Sequence, residues 1–292
     1  MHKYLRAIGF SKLNGRKELQ ELIRQTIQEA TDKEYHTMND EVFAEFSKDY
    51  AENIGIAVRG VFDEQNRFIY DYYFPYCIGT DISSEEDVSV ERHAAKESYA
   101  GVCDDLKVGI SLIFYLQNVI PYLDIKDAGM LPIRGTTLTL SALSCQGMIM
   151  MPIIKTDRSK AKIKQATRNR NDLIAAARKG DESAIESLTL EDMDTYTEIS
   201  RRIHKEDIFS MVDTYFMPYG VECDSYSILG EITDCRLITN KLTKEEVYLM
   251  TILCNDLQFD LCINKEDLFG EPAVGRRFKG TIWMQGYINF PA

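Results

Sequence analysis

The chain has 292 residues, 45% of them hydrophobic and 27% charged, close to the averages of soluble globular domains, so a disordered or fibrous protein is excluded for most of its length. Lys and Arg total 34 against 46 Asp and Glu, a formal net charge of −12, and so acidic a chain repels phosphate backbones at long range. The seven cysteines are odd in number and form no Cys-x-x-Cys pair, which predicts reduced thiols and a cytoplasmic protein.

Residues 1–8 have no apolar signal-peptide core and no small-residue cleavage site, so no secretion signal is predicted. Residues 4–10 read as a short strand, closed by the turn Ser11-Lys12-Leu13-Asn14-Gly15. Over 16–30, Leu19, Leu22, Ile23 and Ile27 recur at helical spacing and predict an amphipathic helix with one buried face. From 42 to 154 the texture changes to strands. Segments 54–62 and 68–78 flank the polar turn Asp63-Glu64-Gln65-Asn66-Arg67 and predict a hairpin. Segments 107–123 and 136–154 supply further strand. The uncharged run 135–154 is long enough for a membrane span, but it is half polar in its first part and holds Gln146, Gly147 and Pro152. It reads as a buried hairpin folded near Cys145-Gln146-Gly147.

Residues 155–222 differ. Nine bases and two acids fall between 155 and 179, whereas 181–194 holds six acids and no base. Asp181 stands where a helix N-cap belongs, and Thr189-Leu190-Glu191-Asp192 resembles a second capping box. A further helix is expected at 206–217, ended by Pro218-Tyr219-Gly220. Strands return at 228–238, 247–255, 258–263 and 277–290, and their glycine punctuation suggests a small barrel, OB-like or SH3-like. That gives an α+β chain in three parts: an antiparallel sheet with a covering helix over 1–154, a helical connecting segment over 155–222, and a small β-barrel over 223–292 that folds alone.

Three stretches carry a family resemblance. They are Met1-His2-Lys3-Tyr4-Leu5-Arg6-Ala7-Ile8-Gly9-Phe10, the block 185–232 with Phe216-Met217-Pro218-Tyr219-Gly220-Val221-Glu222-Cys223, and Gly275-Arg276-Arg277-Phe278-Lys279-Gly280-Thr281-Ile282-Trp283-Met284-Gln285-Gly286. Together they resemble a bacterial family of unknown function over the whole chain. The resemblance implies a cytosolic protein and carries over neither an activity nor a site residue.

Catalytic signatures are scarce. The histidines, His2, His36, His93 and His204, lie far from one another and from any cysteine, and no metal-ligand spacing occurs. GxxxxGK[S/T], GxGxxG and GxSxG are all missing, so no cofactor is expected. Ser159-Lys160-Ala161-Lys162 spells SxxK without that chemistry's partner motifs. Cys103 and His93 are the nearest thiol–imidazole pair, and buried inert thiols are the simpler account. Glu85-Glu86-Asp87 and Glu91 form an acidic connection over 80–105. It suits acid–base or cation chemistry, or simply a solvated loop. Gly275-Arg276-Arg277-Phe278-Lys279-Gly280 offers Arg276, Arg277 and Lys279 to an anion, or to solvent from a bent strand.

The most distinctive pattern is aromatic. Phe68, Tyr70, Tyr72, Phe74 and Tyr76 alternate with the period of a strand, so all five are expected on one face. Such a face is a stacking platform or the core floor beneath helix 16–30, and the core is favoured because five rings in water would make a large apolar patch. Pro75 places an edge at the end of this strand, so Phe74 and Tyr76 are expected to be partly exposed and Tyr70 and Tyr72 buried. The function expected is a non-enzymatic binding or scaffolding protein with Phe74, Tyr76, Arg276, Arg277 and Lys279 as binding candidates. The alternative is an enzyme or small-ligand sensor with its site between the N-terminal sheet and the barrel. The expected partner is another protein or a small ligand, with nucleic acid and membrane disfavoured and a homo-oligomer left open.

Overall fold

The computed structural model describes residues 2–38, 41–92, 99–105, 110–131, 135–153, 165–166, 169–170, 172–177, 179–202 and 212–291. In chain order, a 3₁₀ helix (Lys3–Ile8) and α1 (Gly15–Gln28) precede β1 (Asp32–Met38), β2 (Glu41–Ala51), β3 (Ile54–Phe62) and β4 (Phe68–Cys77). Then come β5 (Val88–Arg92), β6 (Tyr99–Cys103), β7 (Leu112–Leu116), α2 (Val119–Asp127), β8 (Thr137–Ser144), β9 (Gly147–Met150) and α3 (Glu182–Arg202). The remainder is β10 (Tyr215–Pro218), β11 (Ser225–Thr239), β12 (Glu246–Cys254), β13 (Leu257–Asn264), β14 (Leu268–Phe269) and β15 (Arg277–Asn289). The chain is mostly sheet with few helices.

Strands β1–β4 form a four-stranded antiparallel meander; the other strands belong to a second, mixed sheet of 11 strands. The hairpin β3–β4 falls where the polar turn 63–67 predicts it. Hairpin β12–β13 turns on Asn255 and Asp256, both with positive φ (52° and 62°), as a two-residue turn matched to strand twist requires. Asp181 caps α3, its Oδ1 accepting the Ala184 N–H at 3.2 Å.

Several expectations are corrected. Residues 4–10 are not a strand: the 3₁₀ helix buries Tyr4, Leu5, Ala7 and Ile8. The strand expected over 107–123 is β7 followed by α2, in which Pro121 occupies the first turn, where its missing N–H costs nothing. Segment 136–154 is not a hairpin, because β8 and β9 run one after the other along the same strand, β15. α3 continues through Thr189, whose hydroxyl donates to the Ile185 carbonyl at 2.8 Å instead of capping a new helix. The helix expected over 206–217 gives way to β10 at its end, while residues 206–211 lie outside the described set.

A barrel confined to 223–292 is not what the pairings show. Within that stretch β13 and β15 do not meet; each pairs instead with β8, β13 in parallel and β15 antiparallel. Long strand β11 pairs with β15 through its first half and with β12 through its second. The N-terminal part thus supplies a strand between two C-terminal ones.

Two apolar clusters result. One lies inside the mixed sheet, around Leu112, Phe114, Leu140, Ile228, Met250, Leu261, Phe278 and Ile282. The other is sandwiched between the meander, the 3₁₀ helix, α1 and the back of the mixed sheet, and includes Leu5, Ile8, Leu22, Tyr50, Ile56, Phe74, Leu249, Cys262 and Trp283. α1 packs chiefly on β2 and β3, and Thr26 of α1 shares a 2.9 Å hydrogen bond with the Tyr50 hydroxyl.

Candidate functional site

The joint between the two sheets, where an assembled active site was the alternative expectation, is filled. Arg59 of β3 is fully buried there. Its Nε donates to Glu45, and its Nη2 to the Gln117 carbonyl. Nη1 donates to the Tyr72 and Tyr115 hydroxyls at 3.1 and 3.2 Å, and the guanidinium lies 4.6 Å from the Phe74 ring centre. A burial this deep is tolerable only because every guanidinium nitrogen has an acceptor and Glu45 offsets the charge. Next to it, Gln285 accepts from the Cys77 N–H at 3.1 Å and donates to the Pro75 carbonyl at 2.8 Å, joining β4 to β15. His36 of β1 clasps α2, with Nδ1 2.6 Å from Asp124 and Nε2 3.1 Å from Asp127.

At the outer end of this network Glu34 faces Glu45 across β1–β2. Burial first, then Glu45 and Asp32, push the Glu34 carboxyl up to about 7, and Arg59 only partly opposes them. Three of the thiols are poor nucleophiles: burial pushes Cys103 up to about 11, and Cys145 and Cys254 up to about 12. Among the described residues no group of three or more His, Cys, Asp or Glu is arranged to hold a metal ion. His93, the imidazole nearest Cys103 in sequence, lies outside the described residues.

The aromatic ladder is split. Arg59 pairs with Tyr72 but Gly60 pairs with Tyr70, so Asp71 is an extra residue, a β-bulge. Gly60 is suited to it, since a Cβ there would fall 2.2 Å from the Ile69 carbonyl oxygen. Beyond the bulge the side-chain alternation reverses. Tyr72, Phe74 and Tyr76 face the mixed sheet, with Phe74 against Tyr115 at 4.8 Å and the Tyr76 hydroxyl donating to Asp49 at 2.6 Å. Phe68 packs instead on Phe46 at 4.7 Å and Phe62 at 5.5 Å, on the opposite face. The expected exposures are therefore inverted at three of the four positions: Phe74 and Tyr76 are 2% and 7% exposed and Tyr70 is 42% exposed, whereas Tyr72 is half-buried against the core, nearer its expected place. β4 is the edge strand of the meander, as Pro75 requires, but the two binding candidates of the ladder sit in the core because the mixed sheet covers that edge, with Gln285 donating to the Pro75 carbonyl.

The basic candidates separate as well. Arg277 is buried; its guanidinium donates to the carbonyls of Met151 at 3.0 Å and Val212 at 2.9 Å. Arg276 donates to the Glu271 carbonyl at 2.7 Å. Lys279 alone lines a hollow: a groove of about 460 Å³ formed with Gln146, Gly147, Met148, Ser227, Glu266, Asp267, Leu268, Phe269, Gly280 and Thr281. Its position follows from register. Lys279 pairs with Met148, Met148 with Phe269, and Ser227 with both Thr281 and Met217. Phe269, at 75% exposure, and Met148 give the groove an apolar wall. Asp267 is held by Arg6 at 2.5 Å and Glu266 lies 3.8 Å from Lys12. A second hollow of about 290 Å³ is lined by Glu85, Glu86 and buried Asp105, which the Ser84 hydroxyl holds at 2.6 Å. In sequence, Met148 and Phe269 lie about 120 positions apart and carry no signal that would join them.

Fold and surface together define an α+β protein with a filled inter-sheet joint and one broad groove beside Lys279. The chain belongs to the family described as a domain of unknown function, E. rectale gene description (DUF3881), whose model matches residues 5–286. No curated protein matches it, and no solved structure does. No helix among the described residues is long and apolar enough to cross a membrane.

Proposed function

We propose that the protein is a non-catalytic binding module and that the groove at Gln146–Met148, Leu268–Phe269 and Lys279–Thr281 is its recognition surface. One contrast carries this. The polar groups of the inter-sheet joint are consumed in holding the sheets together, whereas the groove leaves Met148 and Phe269 in solvent beside hydroxyl, amide and ammonium groups. A largely apolar hollow of several hundred Å³ with a few polar groups is what ligand sites usually offer.

The pairing cycle β11–β12–β13–β8–β15–β11 supports a five-stranded barrel of OB type, completed by β8. In that architecture the face of the second and third strands binds oligonucleotides. Here the corresponding strands, β12 and β13, lie under the 3₁₀ helix, with Cys262 donating to the Ala7 carbonyl at 3.2 Å. Blockage of that face, with the net charge of −12, favours a protein segment or a small ligand over nucleic acid. Seven unpaired thiols fit a reducing, cytoplasmic setting.

The test is a screen of peptides and small amphiphiles against protein carrying ¹³C-methyl methionine. Binders should shift the Met148 resonance and lose affinity in Phe269→Ala and Lys279→Glu, whose melting temperatures stay near that of the parent. Binders that bypass Met148, or that are turned over, would refute the proposal.

A further inference from the structure

We propose that the contact between α2 and β1 is a proton-operated clasp: protonated His36 holds the last turn of α2 on the meander, and loss of that proton frees the turn. Asp124 and Asp127 lie three positions apart and so share one face of α2. Two carboxylates at that spacing repel unless a cation stands between them. His36 is buried there, with Nδ1 2.6 Å from Asp124 and Nε2 3.1 Å from Asp127. Nδ1 is hydrogen-bonded, whereas Nε2 is within ion-pair reach of Asp127 and makes no hydrogen bond. A neutral imidazole has one N–H and one lone pair, so one nitrogen would turn a lone pair toward a carboxylate. The imidazolium has an N–H for each, and its charge suits the C-terminal end of a helix.

The other charges around the contact act in the same direction. Glu34, two positions from His36, shares its face of β1 and lies opposite Glu45 of β2. Burial first, then Glu45 and Asp32, raise the Glu34 carboxyl to about 7; Asp124 adds to them and Arg59 of β3 opposes them. Tyr287 of β15 is within electrostatic reach of Glu34 and Asp32. Lys33 is on the other face of β1, 5.9 Å from the Phe46 ring centre, and Lys126 of α2 is exposed. Raising the pH removes the cation between the two aspartates and adds an anion, Glu34, beside them. The closed contact therefore binds more protons than the open one and is favoured by acid.

The opening is local, because amides pin the other end of α2. Gln117, just before it, accepts from Arg59 through its carbonyl and donates to the Cys77 carbonyl at 2.7 Å. Asn118 donates to the Ile288 carbonyl at 2.8 Å and accepts the Ile288 N–H at 3.1 Å. Val119, Ile120, Tyr122 and Leu123 share an apolar cluster with Phe43, the residue paired with His36. The helix loosens from its C-terminal end and does not detach.

The experiment is amide hydrogen exchange at pH 6 and pH 8, corrected for the intrinsic pH dependence, with interior strand β12 as reference. Protection of residues 124–130 should fall about tenfold from pH 6 to pH 8, the factor that one unit of differential proton affinity represents, while that of β12 holds. His36→Gln should show the weaker protection at both pH values. Asp127→Asn, a change at an exposed side chain, should reduce protection at pH 6 and with it the fall, and it carries the test where His36→Gln does not fold. A level profile in the parent, an equal fall in β12, or an undiminished fall in His36→Gln or Asp127→Asn would each overturn the clasp.

Discussion

Glu34→Gln should stabilise the protein above neutral pH and leave it unchanged in acid. Glu34 lies opposite Glu45 at the mouth of the Arg59 network, with Asp32 on its own strand and Asp124 approaching from α2. Burial and these carboxylates raise its folded value from 4.5 to about 7. Below about 4.5 both folded and unfolded chains hold the proton, and Glu34 carries no penalty. Between about 4.5 and 7 the unfolded chain gives up its proton first, so the folded state binds more protons and its stability falls as pH rises. Above about 7 the full penalty is present. Fully expressed, such a gap corresponds to ~3 kcal/mol. Water reaches this carboxyl, and screening reduces the figure to ~1–2 kcal/mol. Urea denaturation of the parent and Glu34→Gln should therefore coincide at pH 4 and separate by ~1–2 kcal/mol at pH 8, with exposed Glu64→Gln as the control. Parallel pH profiles for parent and Glu34→Gln would refute the reasoning.

Phe74→Ala should cost ~3–5 kcal/mol in denaturant titration and Tyr70→Ala less than ~1 kcal/mol, because the bulge puts one ring under the mixed sheet and the other in solvent; equal losses would mean that the ladder is continuous. Arg59→Ala should cost ~3–5 kcal/mol by leaving Glu45 without its partner, and Glu45→Gln combined with Arg59→Met should cost less than the two single changes together. An isolated 223–292 fragment should give a collapsed amide spectrum, since β13 and β15 are joined through β8; a dispersed spectrum would show that those strands close without it.

The strands most legible in the sequence are those bounded by turn chemistry. Asp63-Glu64-Gln65-Asn66-Arg67 marks the β3–β4 hairpin, and the C-terminal strands appear within a few residues of their expected places. Where apolar residues run on without a break, periodicity cannot choose between strand and helix. Residues 4–8 and 119–123 fit a strand for that reason, yet both are helical. The ladder failed differently. A two-residue period assigns faces only while every residue is paired, and one unpaired residue, Asp71, reverses the assignment for everything N-terminal to it.

The groove was illegible for a topological reason. Lys279 stood out in sequence, but Met148 and Phe269 become its neighbours only because β9 lies between β15 and β14, and nothing local to either segment encodes that placement. The same topology explains why the joint is structural. β8 enters between β13 and β15 from the N-terminal part of the chain, and the meander is folded over that insertion, so the polar residues facing it must be satisfied internally. Arg59, Gln117 and Gln285 answer that demand. The proposed recognition surface is then the flank of the mixed sheet where β9 and β14 set Met148 and Phe269 beside Lys279 and no described element covers them.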